Sequence, residues 1–431
     1  MEKLKIGIGK IKNLFEKDEI DEAKSYVYKS LDKLKSYYKD FEKTFKIDFD
    51  KCKKCSLSEH NRELLWLFCL DILPYDQPSN WKRIITDLRS DYLSLKIGII
   101  TKEIDDFIML SKEKGGKEYD IYMNKLKEED FKLLDLIKID IERTYQDIEL
   151  FQKETIKRTM IYVLFIYSKK YPLLGYKQGM NDICAVFLYV LYKQYKLTTK
   201  FTKDDFSFLY FIFHSNNDFL ENDLYLMYSS FMNKGIGELY LYSQYKQSKL
   251  SSLSLEKKVY LTKEEIDNFD DSQVRKRMYN IFYRLLQNFD VDFYNEMINK
   301  VDPELFLFKW YLCFLTREFD INKVIHLWDL IFCYDFIEYR LIDSKHNKEF
   351  HFRFIDSIIL SMLICCKNDL MKLKNENDTK FMKLLIHYPD TIKIEQIIKE
   401  ALKIDSIINK ENNFDFNKLD LKLSYSFINS E

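Results

Sequence analysis

Apolar residues recur at steps of three and four along most of this chain. Met180, Ile183, Cys184, Phe187, Leu188 and Leu191 share one helical face, and Ile156, Met160, Val163, Leu164 and Tyr167 do the same one element earlier. That spacing is what 3.6 residues per turn requires of a face turned toward a core. The earlier segment is apolar elsewhere too, at Ile161, Phe165 and Ile166, which predicts burial nearly all round. Ile20, Ala23, Val27, Leu31 and Leu34 give one amphipathic face within the charged stretch 1–58, read as a helical N-terminal extension. Asp302-Pro303 predicts a helix start, a capping carboxylate followed by proline at the first helical position. Asp320 is placed to cap the helix carrying Val324, Leu327, Trp328 and Ile331. Pro74 and Pro78 mark a turn before Trp81, and Gly115-Gly116 marks a loop. From about 244 to 271 the pattern loosens into serines and charges, as in an insertion within one domain. No stretch alternates over several strands and no internal repeat is evident. The expected fold is all-α: a helical extension over 1–58, one large multi-helix domain over 59–405, and a tail over 406–431.

Composition narrows the class. With 9 Gly and 5 Pro in 431 residues, helix breakers are scarce. The 46% hydrophobic and 32% charged fractions are those of a globular chain with a core. A formal net charge of −1 supplies no field to draw nucleic acid or acidic lipid. The eight cysteines are scattered and Met1-Glu-Lys-Leu-Lys leads into no apolar h-region, so reduced thiols in the cytoplasm are expected. The longest uncharged apolar run, Ile183 to Tyr192, is about half of what spans a bilayer. Any membrane association is therefore expected to be peripheral, through a partner.

Two short motifs carry the candidate chemistry. Ile137-Lys-Ile-Asp140-Ile-Glu-Arg143-Thr144 supplies an arginine, and Tyr176-Lys-Gln178-Gly179-Met180-Asn181-Asp182 supplies a glutamine 35 residues later. An arginine can neutralise charge that builds on a γ-phosphate, and a glutamine can orient the attacking water. Such a pair serves a protein that lends catalytic groups to another protein's GTP site. Each residue also has a plainer reading. A single arginine is more often an ion-pair partner, and Asp140 stands three residues before Arg143. Gln178 can simply precede a helix entrance, where Gly179 permits a sharp turn and Asn181 or Asp182 satisfies free amides. Tyr176 and Met180 read as packing residues that fix Gln178.

Other chemistries find no support. There is no GxxxxGK[ST], GxSxG, HExxH or kinase signature set. Cys52-Lys-Lys-Cys55 has the form of a zinc half-site, but four ligands are needed and no second pair follows at a suitable spacing. His60 is a single candidate, so two unrelated thiols and no metal are expected. Cys365-Cys366, in an apolar stretch, reads as core. Trp66, Trp310 and Trp328 read as core anchors. Arg62, Arg317 and Glu318 read as members of buried ion pairs tying helices together.

The two motifs resemble the IxxDxxR and YxQG signatures of the TBC domain, the helical domain of Rab GTPase-activating proteins. The likeness extends to Arg62-Glu-Leu-Leu-Trp66-Leu-Phe-Cys-Leu-Asp-Ile-Leu-Pro74 with Trp81 and Arg89-Ser-Asp-Tyr92, similar to the family's opening motif. Trp310-Tyr-Leu-Cys-Phe-Leu-Thr-Arg317-Glu318-Phe319, then Leu327-Trp328-Asp329, is similar to its third motif. Tyr388-Pro389 followed by an apolar helix resembles its end. Near-minimal length, Asp270-Asp271-Ser272-Gln273 and Lys383-Leu-Leu-Ile-His-Tyr-Pro389 further resemble the subfamily of TBC domain family member thirteen. The resemblance implies catalytic roles for Arg143 and Gln178, supported by Asp140, Thr144, Tyr176, Gly179, Asn181 and Asp182. It implies structural roles for Arg62, Trp66, Trp310, Arg317, Trp328 and Asp329. It further implies a GTP-bound Rab as partner, GTP and magnesium carried by that Rab, no cofactor of the chain's own, and work in vesicle trafficking at endomembranes. A catalytically silent Rab-binding scaffold of the same fold remains the alternative. One departure stands out: the first motif often has a glycine after its leucine pair, where this chain has Cys69-Leu70-Asp71. That leaves the helix ending to be explained.

Overall fold

The computed structural model describes residues 41–57, 59–75, 77, 80–110, 117–198, 219–240, 273–341 and 352–411. Its elements are helices joined by turns, with no strand among the described residues, and the fold is all-α. The Ile20–Leu34 face, Pro78, Gly115-Gly116 and the 244–271 stretch lie outside the described residues.

The periodic segments fold as their spacing requires. Met180–Thr198 forms one helix, and Met180, Ile183, Cys184, Phe187, Leu188 and Leu191 are all fully buried. The helix Glu154–Lys170 is buried on every side between Met160 and Ser168, because it packs on both Glu128–Glu142 and Leu220–Phe231. Asp302 accepts a hydrogen bond from the Glu304 amide at 2.9 Å, opening Glu304–Leu312. Asp320 accepts from Asn322 and Lys323 at 3.1 and 3.2 Å, opening Ile321–Leu341. Both caps satisfy amides that have no partner inside a first helical turn.

The first motif forms the helix Glu59–Cys69, and its ending answers the missing glycine. Asp71 takes φ 56°, the left-handed conformation that aspartate tolerates better than most residues. The Ile72 amide then reaches back to the Leu67 carbonyl at 2.9 Å and closes the helix end.

The first and third motifs meet in the core. Trp66 lies 5.9 Å from Trp328 and 5.7 Å from Phe187 between ring centroids, and Trp328 stacks on Phe231 at 5.3 Å. Arg62 Nε donates to both oxygens of Asp329 at 2.9 and 3.1 Å, and Trp66 Nε1 donates to Asp329 at 2.9 Å. Trp310 is fully buried against Phe306 and Tyr388. A second buried pair, Arg89 with Asp223, joins Trp81–Ile99 to Leu220–Phe231 through two parallel contacts of 2.9 and 2.8 Å. The extension's helix Phe41–Lys53 belongs to this same core, with Phe45 against Phe336 and Phe49 against Tyr334. At the other end the last helix, Ile394–Glu411, runs past residue 405 and packs on Phe354–Lys372.

Candidate functional site

The arginine motif occupies the last turns of the helix Glu128–Glu142. Ile137 and Ile141 are buried, as are Asp140 and Thr144, whereas Arg143 is exposed. Arg143 stands at the helix C-terminus, where unpaired carbonyls favour a cation. The chain then reverses at Tyr145, φ 41°. The glutamine motif is a loop between Gly175, φ 60°, and Gly179, φ 103°. Gln178 is exposed on it, and Met180, fully buried, accepts a hydrogen bond from the Lys177 amide through its sulfur at 3.3 Å. Gly179 is needed for more than its backbone angle, since a Cβ there would meet Cys313 Sγ at 3.0 Å.

A closed set of hydrogen bonds ties the two motifs together. Asp140 accepts from the Arg143 guanidinium through Oδ1 and from the Tyr176 hydroxyl through Oδ2, the latter at 2.8 Å. Thr144 donates to the Asp140 carbonyl at 2.8 Å and accepts from Asn181 Nδ2 at 2.9 Å. Asn181 Oδ1 accepts from the Gly179 amide at 3.1 Å, and its second Nδ2 hydrogen goes to Asp182 Oδ1 at 2.9 Å. Asp182 Oδ2 accepts from Arg317 Nε at 2.7 Å. The Tyr176 hydroxyl has one proton and lies 3.2 Å from Asn181 Oδ1 as well. The carboxylate takes that proton because the contact is shorter and charge-assisted. Burial, and then the negative charge of Asp140, push the Tyr176 phenol well above its ordinary pKa, so it stays a donor. Asp182 is also raised, by burial first, although Arg317 works against the shift.

Asp140, Thr144, Tyr176, Gly179, Asn181 and Asp182 come together in one network, with Arg143 and Gln178 left exposed at its edge. Of the two proposed caps at the helix entrance, Asn181 serves the amide and Asp182 serves Arg317 instead. Arg62, Trp66, Trp310, Trp328 and Asp329 sit in the core, and their side chains make none of this network's hydrogen bonds. Arg317 differs from its expectation: its side chain is 31% exposed, and it reaches the glutamine motif rather than sealing a helix pair. Glu318 is buried and pairs with Lys309 at 2.9 Å. Two neighbours had no advance signal, Tyr145, whose hydroxyl donates to the Thr316 carbonyl at 3.2 Å, and Tyr240, which packs against Gly179.

The Rab-GTPase-TBC domain model matches two overlapping stretches, residues 59–263 and 259–371, well over half of the chain. The chain belongs to this family. Mouse TBC1 domain family member 5 is 23% identical over 354 residues, covering 80% of this chain and 40% of that protein. GTPase-activating protein GYP1 of Saccharomyces cerevisiae is 26% identical over 199 residues, covering 45% of this chain and 26% of that protein. The chain thus spans about two fifths of the length of the member 5 relatives it matches. The crystal structure of the Ypt/Rab-GAP domain of Gyp1p superposes with a TM-score of 0.57 at 18% identity, over 86% of this chain and 98% of that one. That match supports the all-helical TBC fold. These relatives are member 5 and Gyp1 proteins, not the member thirteen subfamily the sequence suggested.

Just before the matched domain, Cys52 and Cys55 do not act together. Cys52 is sealed with its sulfur 4.0 Å from that of Cys333, whereas Cys55 is half-buried. Cys366 is core, and its neighbour Cys365 is only half-buried. Among the described residues no group of three His, Cys, Asp or Glu is arranged to hold a metal, and no helix is long and apolar enough to cross a membrane.

Proposed function

We propose that this TBC domain accelerates GTP hydrolysis by a GTP-bound Rab-family GTPase, presenting Arg143 and Gln178 in trans. GTP and magnesium belong to the partner, and the chain brings no cofactor and forms no covalent intermediate. Arg143 offsets charge on the γ-phosphate oxygens, and Gln178 orients the attacking water. An arginine finger contributes about 10³–10⁵ in rate, or about 4–7 kcal/mol of barrier. The observation that carries this reading is the contrast within one network: Asp140, Thr144, Tyr176 and Asn181 are buried and mutually bonded, and the two side chains with the right chemistry stand exposed beside them. Work at an endomembrane then follows from where the Rab sits.

One observation favours a second reading. The Arg143 guanidinium already rests on Asp140, so a scaffold that binds a Rab without reaching its phosphate is consistent with the same contacts. Single-turnover GTP hydrolysis across a panel of purified Rabs separates the two. Acceleration of one or a few Rabs by wild type, lost in Arg143→Ala and in Gln178→Ala, is the expected result. Binding of a GTP-loaded Rab with no acceleration establishes the scaffold instead.

A further inference from the structure

The turn that follows Glu304–Leu312 has an unusual backbone. Phe314 and Leu315, at φ 48° and 67°, both take the left-handed conformation, which costs large non-glycine side chains energy. Two such residues in succession persist only where surrounding contacts over-determine them. Here the Leu315 amide donates to the Trp310 carbonyl at 3.0 Å, and the Trp328 indole donates to the Phe314 carbonyl at 3.0 Å. Tyr240 donates to the Leu312 carbonyl.

The turn touches the glutamine motif and the residue just past the arginine motif. The Thr316 carbonyl accepts from Tyr145, two residues beyond Arg143. Cys313 Sγ fills the space under Gly179, and Arg317 Nε holds Asp182 at 2.7 Å. Asp182 in turn accepts from Asn181, whose carbonyl oxygen caps the Gly179 amide. A continuous polar chain therefore runs from Arg317 to the residue that follows Gln178.

We propose that the Cys313–Arg317 turn is the seat on which the glutamine loop is fixed, with Arg317 as a positioning residue acting through Asp182. The kinetic part of this proposal rests on the GTPase-activating reading above; the structural part stands without it. A half-exposed arginine beside a proposed partner surface has one competing role, direct contact with the partner, and the test separates the two.

Amide hydrogen exchange on the full chain comes first, comparing wild type with Arg317→Ala and with the milder Asp182→Asn. Faster exchange confined to residues 176–182, with the Gly179 amide most affected, is expected. Unchanged exchange there in both variants overturns the proposal. Should Arg317→Ala loosen the whole protein, Asp182→Asn alone decides. Kinetics on an accelerated Rab come second. A misplaced loop is expected to lower kcat about ten- to a hundredfold with KM within about twofold, and Arg317→Ala with Asp182→Asn to be no worse than the more damaging single change. A rise in KM at constant kcat makes Arg317 a partner contact and overturns the positioning role. If wild type accelerates no Rab, the catalytic reading fails, and the exchange data still decide how the loop is seated.

Discussion

Two buried carboxylates of this domain each hold an arginine, and they do opposite things with it. Asp329 is fully buried and its partner Arg62 is 6% exposed, so the pair is sealed and Trp66 completes it. Asp140 is 1% exposed, but its partner Arg143 is 49% exposed. One carboxylate clamps helices that are 267 residues apart in sequence. The other keeps a solvent-facing guanidinium at the end of its own helix. The difference shows how one fold uses the same ion-pair chemistry for cohesion in the core and for presentation at the edge. Residue type alone does not separate the two, since both are aspartate with arginine; only the motifs they lie in do.

Mutation should split them cleanly. Arg143→Ala is expected to lower the acceleration of Rab GTP hydrolysis by about 10³–10⁵ and leave stability almost untouched. An ion pair half in water is worth about 0–1 kcal/mol, and Asp140 keeps Tyr176 as a donor. Asp329→Ala is expected to do the reverse. It strands the Arg62 charge and the Trp66 N–H in the core, a loss of about 3–5 kcal/mol, readable as a shifted urea midpoint. Activity per folded molecule should hold. An Asp329→Ala variant of normal stability and poor activity would collapse the distinction.

Much of this was legible because it is periodic. The buried face of Met180–Thr198 and the all-round burial of Met160–Ser168 follow from spacing that one segment carries by itself. The role of Asp320 was legible too, because capping is local, whereas the choice between Asn181 and Asp182 stays open in the sequence and only the structure assigns the amide to Asn181. What failed was pairing at a distance. Arg317 reads as a core tie from its type and neighbours, and only the fold shows Asp182, 135 residues away, as its partner. The left-handed turn at Phe314 and Leu315 carries no glycine or asparagine to announce it, and Tyr240 lies in no motif. Asp71 is instructive in the other direction, since a departure from the family pattern still places at the helix end a residue that tolerates the left-handed conformation found there.

Smaller changes probe the same contrast. Tyr176→Phe removes the neutral donor from Asp140 while Arg143 stays. A net loss of about 1 kcal/mol in stability is expected for one such hydrogen bond, with a larger relative effect on activity, because this hydroxyl bridges the two motifs. Equal, small effects on both would mean that Asn181 alone joins them.

Glu318 supplies the finest test, since it is a buried carboxylate with neither a clamp like Arg62 nor an opening like that of Arg143. Burial raises its pKa despite the opposing influence of Lys309 and Arg317. A raised folded-state value means that the native protein holds this proton more tightly than the unfolded chain does. Stability therefore falls as pH rises from the ordinary glutamate value, about 4.3, toward the folded-state value, and the loss is complete above it. Glu318→Gln has no proton to release, so its melting temperature should decline less than that of wild type from about pH 4 to neutrality. Asp182, raised in the same direction, leaves part of the slope in place. A variant that instead loses ground on wild type as pH approaches 7 would show that the Lys309 pair outweighs burial, and would move Glu318 into the class of Asp329.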